Sequence, residues 1–209
     1  MVRIGEHISI SKGAMTGIKQ TLENGSTCFQ IFVKNPRSFS DSKISDKVKI
    51  EVKKFIEEHN LKFVSHSPYI LNLSKDPVDN KLAFDTLIND IKTSSSMGAI
   101  GSVVHMGKYL KSDPEIAYSN MAQSIKLILD QIDPSEYSGK LIIENSAHQG
   151  TEIGYDINGL IKLWKLIPDD CKHRVGICFD TCHAFAGGLD LTKYEEMDKY
   201  LTLFNDEIG

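Results

Sequence analysis

Five side chains able to bind a metal fall at comparable places in this sequence: His66, His105, Glu144, Asp180 and His183. The first four each end a short apolar run, and His183 follows Asp180 by three residues. Imidazole nitrogens and carboxylate oxygens in this mix suit zinc or another borderline divalent ion. Carboxylates can also bridge neighbouring ions, and paired metals are a recurring solution for phosphoester hydrolysis. Taken singly, each residue has a plainer reading. A histidine after a strand is often a hydrogen-bonded loop residue, Glu144 could cap a turn, and Asp180 could cap a helix starting near Thr181. A shared metal site accounts better for five such residues in equivalent positions. Cys178 and Cys182 form a C-x3-C pair with no second pair to complete it, which argues against a cysteine zinc site.

The elements that must position these groups are legible from patterning. Runs rich in β-branched and aromatic residues predict strands over 3–9, 27–33, 62–65, 102–105, 140–144 and 175–179. Apolar residues at helical spacing predict helices over 12–23, 46–60, 77–97, 114–132, 157–167 and 192–205. Asn24-Gly25 is a helix stop, while Asp113-Pro114 is an N-cap followed by a first-turn proline. Six successive βα units imply α/β architecture with a parallel sheet. The first βα turn carries no G-x-G-x-x-G, which counts against a doubly wound dinucleotide fold. The expectation is a (β/α) TIM-type barrel, incomplete at six of eight units, forming one domain over 1–209 that lacks the last two. In such a fold every strand's carboxyl end opens on the same face, where barrel active sites lie. His7, ending the first strand, also points there as a supporting or structural residue. His59, His148 and His173 carry no assigned role.

The 209 residues, 41 % hydrophobic, suffice for one core. The net charge of −4 does not exclude nucleic acid, because a binder needs only one basic face. Lys34, Arg37, Lys75, Lys108 and Lys111 fall on loops at strand carboxyl ends, whereas Glu51, Glu57 and Glu58 lie on an outward helix face. A basic rim around a carboxylate-rich pocket suits a phosphodiester. No run approaches the ~18 apolar residues of a membrane helix, and the N-terminus lacks a secretory apolar region. With four cysteines, three of them in or beside apolar runs, a reducing intracellular setting is expected rather than secretion.

At these residues the chain resembles the endonuclease IV family. The resemblance rests on GEHIS at 5–9, FVKNPR at 32–37, HSPYILNL at 66–73, IENSAHQG at 143–150 and, most specifically, VGICFDTCHAFAGG at 175–188. It implies three zinc ions at a barrel mouth. The implied reaction is base excision repair chemistry on double-stranded DNA: hydrolysis of the phosphodiester 5′ to an abasic site, leaving a 3′-hydroxyl. By position, His66, His105 and Glu144 resemble the ligands of one zinc. Glu144 also resembles a bridge to a second ion that Asp180 helps hold, which makes it the catalytic carboxylate, and His183 resembles a ligand of the third. Arg37, Tyr69 and Ile70 match positions that enter DNA at the lesion, and extruding an abasic nucleotide costs little unstacking energy. Met106 stands where the family commonly has proline. The family continues through two further strands that supply a His, an Asp-x-His pair and a Glu. Fewer than three zinc ions and impaired nuclease activity are therefore expected here, with a complementing fragment or self-association covering the open side. Two other readings stay open. One is a sugar isomerase or epimerase on the related barrel, which leaves Arg37, Tyr69-Ile70 and the 180–188 run unexplained. The other is a non-catalytic remnant that binds damaged DNA.

Overall fold

In the computed structural model, which describes residues 2–209, each apolar run of the sequence becomes a strand and each amphipathic run a helix. The strands are β1 (Gly5–His7), β2 (Cys28–Ile31), β3 (Lys62–His66), β4 (Gly101–His105), β5 (Lys140–Glu144) and β6 (Val175–Cys178). The helices are α1 (Ala14–Glu23), α2 (Asp46–Glu58), α3 (Lys81–Ser96), α4 (Pro114–Asp130), α5 (Ile157–Leu166), α6 (Asp169–Lys172), α7 (Thr181–Ala186) and α8 (Tyr194–Glu207). All six strands join one parallel sheet in the order β1-β2-β3-β4-β5-β6. A doubly wound sheet would reverse direction within that order; this one advances strand by strand, as barrel sheets do.

One expected helix is divided and one helix is additional. The helix expected over 77–97 begins instead as a single 3-10 turn at Pro77–Asp79, and α3 starts after Asn80. Asp76 accepts from the Val78 amide at 2.9 Å, and the Asn80 amide group donates to the Asn72 carbonyl at 2.8 Å. Side-chain bonds of this kind offer the backbone an alternative to the helix. Beyond β6, Asp180 caps a separate short helix, α7, ahead of the terminal α8.

The chain forms two compact units. In the first, Phe29 and Phe63 stack at 4.9 Å, and Ile18, Ile31, Val52 and Met97 are fully enclosed around them. Gly5 is required where it pairs with Cys28, because a Cβ there would occupy the space of the Cys28 carbonyl. In the second unit, Met106, Met121, Ile125, Leu160 and Leu163 are buried. The buried Tyr118 hydroxyl accepts from the Gly154 amide at 3.0 Å. Gly154 has φ +69°, and any side chain at it would collide with Met106. No helix among the described residues is long and apolar enough to cross a membrane.

One residue of the expected basic rim is elsewhere. Lys34 is not a surface cation: its side chain is 2 % exposed and its ammonium lies 2.8 Å from the equally buried Asp90 carboxylate on α3. Beyond this contact, neither the ammonium nor either Asp90 oxygen has a hydrogen-bond partner among the described residues. Burial drives the Asp90 pKa from 3.8 up to about 6, outweighing the Lys34 ammonium, while the nearby Asp41 adds to the rise. The folded chain thus retains a proton on Asp90 at pH values where the unfolded chain has released it. Its contribution to stability is complete below about pH 4 and is lost as pH rises through about 6, a change of roughly 3 kcal/mol. The stability of the wild-type protein relative to Asp90→Asn should therefore fall as pH is raised from 4 to 7, measured by urea unfolding at each pH. A difference that is constant or widens with pH would contradict this picture of the pair.

Candidate metal centre

Within the second unit, four of the five residues singled out from sequence come together. His105 ends β4, Glu144 ends β5, Asp180 follows β6, and His183 sits in the first turn of α7. His105 Nε2 is 3.5 Å from Glu144 Oε2, and His183 Nδ1 is 3.3 Å from Glu144 Oε1. The two imidazole rings meet edge to face with centroids 5.4 Å apart. Ligand atoms of Glu144, Asp180 and His183 all lie within 4.8 Å of one another. Two donors each roughly 2.1 Å from a tetrahedral ion are themselves about 3.4 Å apart, so the His105–Glu144 spacing already matches a shared cation. Two carboxylates in one partly buried cluster also favour a cation over an empty polar pocket, since like charges oppose each other's ionisation.

The arrangement is fixed by a residue the sequence reading passed over. Asn145 follows Glu144 directly, and its side chain clamps Asp180 from both sides of the peptide. Its Oδ1 accepts from the Asp180 amide at 2.7 Å, and its Nδ2 donates to the Asp180 carbonyl at 3.1 Å. Its backbone carbonyl lies 2.9 Å from His183 Nδ1. A carbonyl can only accept, so Nδ1 of His183 carries the proton and Nε2 keeps its lone pair for a ligand. That is the outer-sphere arrangement by which proteins orient metal-binding histidines. In the sequence its only mark is a polar amide beside a strand-end carboxylate, which alone does not single it out.

His66 ends β3 in the first unit, where it pairs in register with Val103. It is buried at 6 % exposure, and its Nδ1 is 2.7 Å from the Ser67 carbonyl, so Nδ1 donates there and, in the neutral ring, Nε2 is the nitrogen with the free lone pair. Phe32, also passed over in sequence, holds the surrounding rings. Its centroid is 4.8 Å from His7, 5.2 Å from His66 and 5.3 Å from Tyr69. His7 Nδ1 meets the Gln30 amide group at 3.2 Å. Burial first, then His66, lowers the pKa of His7, which favours its neutral form.

Asp180 carries two tasks. Its Oδ1 caps α7 by accepting from the His183 amide at 2.8 Å, and its Oδ2 faces His183 Nδ1 at 4.0 Å. Burial pushes its pKa upward, but the His183 amide, the His183 ring, a hydrogen bond with Glu144 and the Cys182 amide together bring it below the ordinary value. The capping reading and the ligand reading are thus compatible in one side chain. Burial first, then Glu144 and Asp180, pushes the Cys178 thiol up to about 11, which leaves it a protonated neighbour rather than a thiolate. Of the remaining basic loop residues, Lys75, Lys111 and Arg37 are exposed, whereas Lys108 is partly neutralised by Glu152 at 3.4 Å. Tyr69 and Ile70 are 53 % and 39 % exposed, and together they form an apolar tip open to solvent.

A family model described as a xylose isomerase-like TIM barrel matches residues 18–208. Among curated relatives, Probable endonuclease 4 of Symbiobacterium thermophilum is 33 % identical, over 90 % of this chain and 67 % of its own length. Probable endonuclease 4 of Campylobacter hominis is also 33 % identical, over 100 % of this chain and 74 % of its own. Among solved structures, endonuclease IV from Thermus thermophilus matches with a TM-score of 0.78 at 25 % identity, covering 100 % of this chain and 72 % of that one.

The two carbonyl contacts lead to a direct spectroscopic expectation. Nitrogen-15 correlation spectra of metal-free protein at neutral pH should show His66 and His183 as the Nδ1–H tautomer. Either ring found as Nε2–H would contradict the described geometry.

Proposed function

Because the chain belongs to the endonuclease IV family of xylose isomerase-like TIM barrels, we propose that it is a zinc-dependent phosphodiester hydrolase acting on double-stranded DNA 5′ to abasic sites. The observation that carries this reading is the His105–Glu144–Asp180–His183 cluster, with its imidazole tethered by Asn145 and its residues at or just beyond strand carboxyl ends. The donor set fits zinc: imidazole nitrogens together with carboxylate oxygens. Of the three ions implied by the resemblance, His66, His105 and Glu144 are the proposed ligands of one, Glu144 and Asp180 serve the second, and His183 the third. When bound, such ions supply Lewis-acid polarisation of the phosphodiester. The chain's own groups do the rest. Glu144 keeps Oε2 toward His105 Nε2 and Oε1 toward the proton-bearing Nδ1 of His183, so its carboxylate is held in place from both sides. The exposed Arg37 guanidinium is suited to a backbone phosphate, and Tyr69 with Ile70 offers an apolar wedge for the gap left by a missing base. An abasic nucleotide has little stacking to lose, so extrusion selects the lesion.

The test is incubation with an end-labelled duplex carrying one abasic-site analogue, with zinc, with chelator, and with zinc restored. Incision 5′ to the lesion that disappears with chelator and returns with zinc is expected. Asn145→Ala should weaken zinc binding about 10–100-fold, the usual effect of removing an outer-sphere partner, and Glu144→Gln should lose both zinc and incision. Chelator-insensitive incision would overturn the metal assignment. Zinc-dependent turnover of ketoses without DNA cleavage would overturn the substrate, and tight abasic-duplex binding without incision by zinc-loaded protein would mark a binding protein instead.

A further inference from the structure

Lys34 and Asp90 form a buried ion pair whose desolvation is offset only in part, so its contribution to stability alone is a weak reason for its presence. Its position is more telling. Lys34 lies just beyond β2, where the chain enters the largely exposed segment 35–41 that carries Arg37. Asp90 is on α3, and its neighbour Asn89 holds the other end of the same segment by donating to the Asp41 carboxylate at 2.5 Å. Two adjacent residues of one helix thereby grip the stretch 34–41 at both ends.

Between the grips the segment is knitted locally. Asn35 Oδ1 accepts from the Arg37 amide at 2.9 Å, and the Asn35 carbonyl accepts from the Ser38 amide at 3.2 Å. The Pro36 carbonyl accepts from the Tyr69 amide at 2.9 Å, tying this segment to the neighbouring one that presents Tyr69 and Ile70. Arg37, Tyr69 and Ile70 therefore stand on one cross-linked platform, all of it within the first unit.

We propose that Lys34, Asp90 and Asn89 are positioning residues that clamp segment 35–41 to α3 and so hold Arg37 and Tyr69 at the spacing that engages the duplex. The link to the duplex rests on the endonuclease reading, whereas the clamp itself does not. A loose segment would have to be ordered at the moment of binding, and preorganisation removes that cost. The apolar alternative to the pair would fill the same volume but would not specify where along α3 the segment attaches.

Lys34→Met and Asn89→Ala test the clamp separately, with Lys34→Arg as the conservative rescue. Asn89→Ala changes a half-buried side chain on α3, removes no charge, and keeps the test available if Lys34→Met does not fold. Hydrogen exchange of the intact chain, without DNA, should speed at least tenfold in 35–41 in Lys34→Met and Asn89→Ala. Exchange in β2 and β3 should stay as in wild type, and Lys34→Arg should restore slow exchange in the segment. Zinc content should not change, and with abasic duplex KM should rise while kcat holds. Unchanged exchange in 35–41, or an equal increase across β2 and β3, would overturn the clamp. Faster exchange in 35–41 with unaltered KM would overturn its connection to the duplex, and absence of incision by the wild-type protein would overturn only the endonuclease reading.

Discussion

A parallel strand can be followed by another only after the chain has crossed back over the sheet, and this geometry governs everything else in the molecule. Each of β1 to β6 is entered from the same edge and left at the other, so loops that follow strands collect on one side regardless of their sequence. Residues separated by some 40 positions in the chain become neighbours through this repetition alone. His105, Glu144 and Asp180 illustrate it: each is the last side chain of its strand or lies just beyond it.

Convergence supplies ligands but not their orientation, and a metal site needs both. Here orientation comes from the main chain. Carbonyl groups of Ser67 and Asn145 each occupy the Nδ1 side of an imidazole, which decides which nitrogen is available. The Asn145 side chain does the same for the backbone of Asp180, whose carboxylate then has one oxygen tied to the start of α7 and the other directed at His183. A helix cap worth about 1 kcal/mol and a contact to a candidate metal-binding imidazole are built from a single carboxylate. The cap explains why the segment after β6 turns immediately into a helix.

The periodicity of the sequence was enough for all six strands and for the long helices, because burial of one face leaves a mark at every second, third or fourth residue. It failed where polar side chains took over from packing. Asn80 interrupts what looks like one helix from 77 to 97, and Asp180 starts α7 where apolar spacing alone predicts no helix. The candidate metal ligands were legible for the same reason as the strands: they stand at strand ends. Asn145 and Phe32 were not, since an asparagine or a phenylalanine beside a strand is unremarkable until its partners are known. Lys34 misled in the opposite direction. A lysine on a strand-end loop reads as solvated, and only the distant Asp90 on α3 reveals it as buried. Charge pairing across 56 positions leaves no periodic trace.

Nitrogen and oxygen donors at the strand carboxyl ends, rather than the nearby thiols of Cys178 and Cys182, are the groups proposed to take the metal. X-ray absorption at the zinc edge of the zinc-loaded protein addresses this choice most directly. The expected spectrum has a shell of light N/O donors at roughly 2.0–2.2 Å with the outer-shell scattering of imidazole. A sulfur shell near ~2.3 Å, or zinc that washes away without any defined shell, would contradict it.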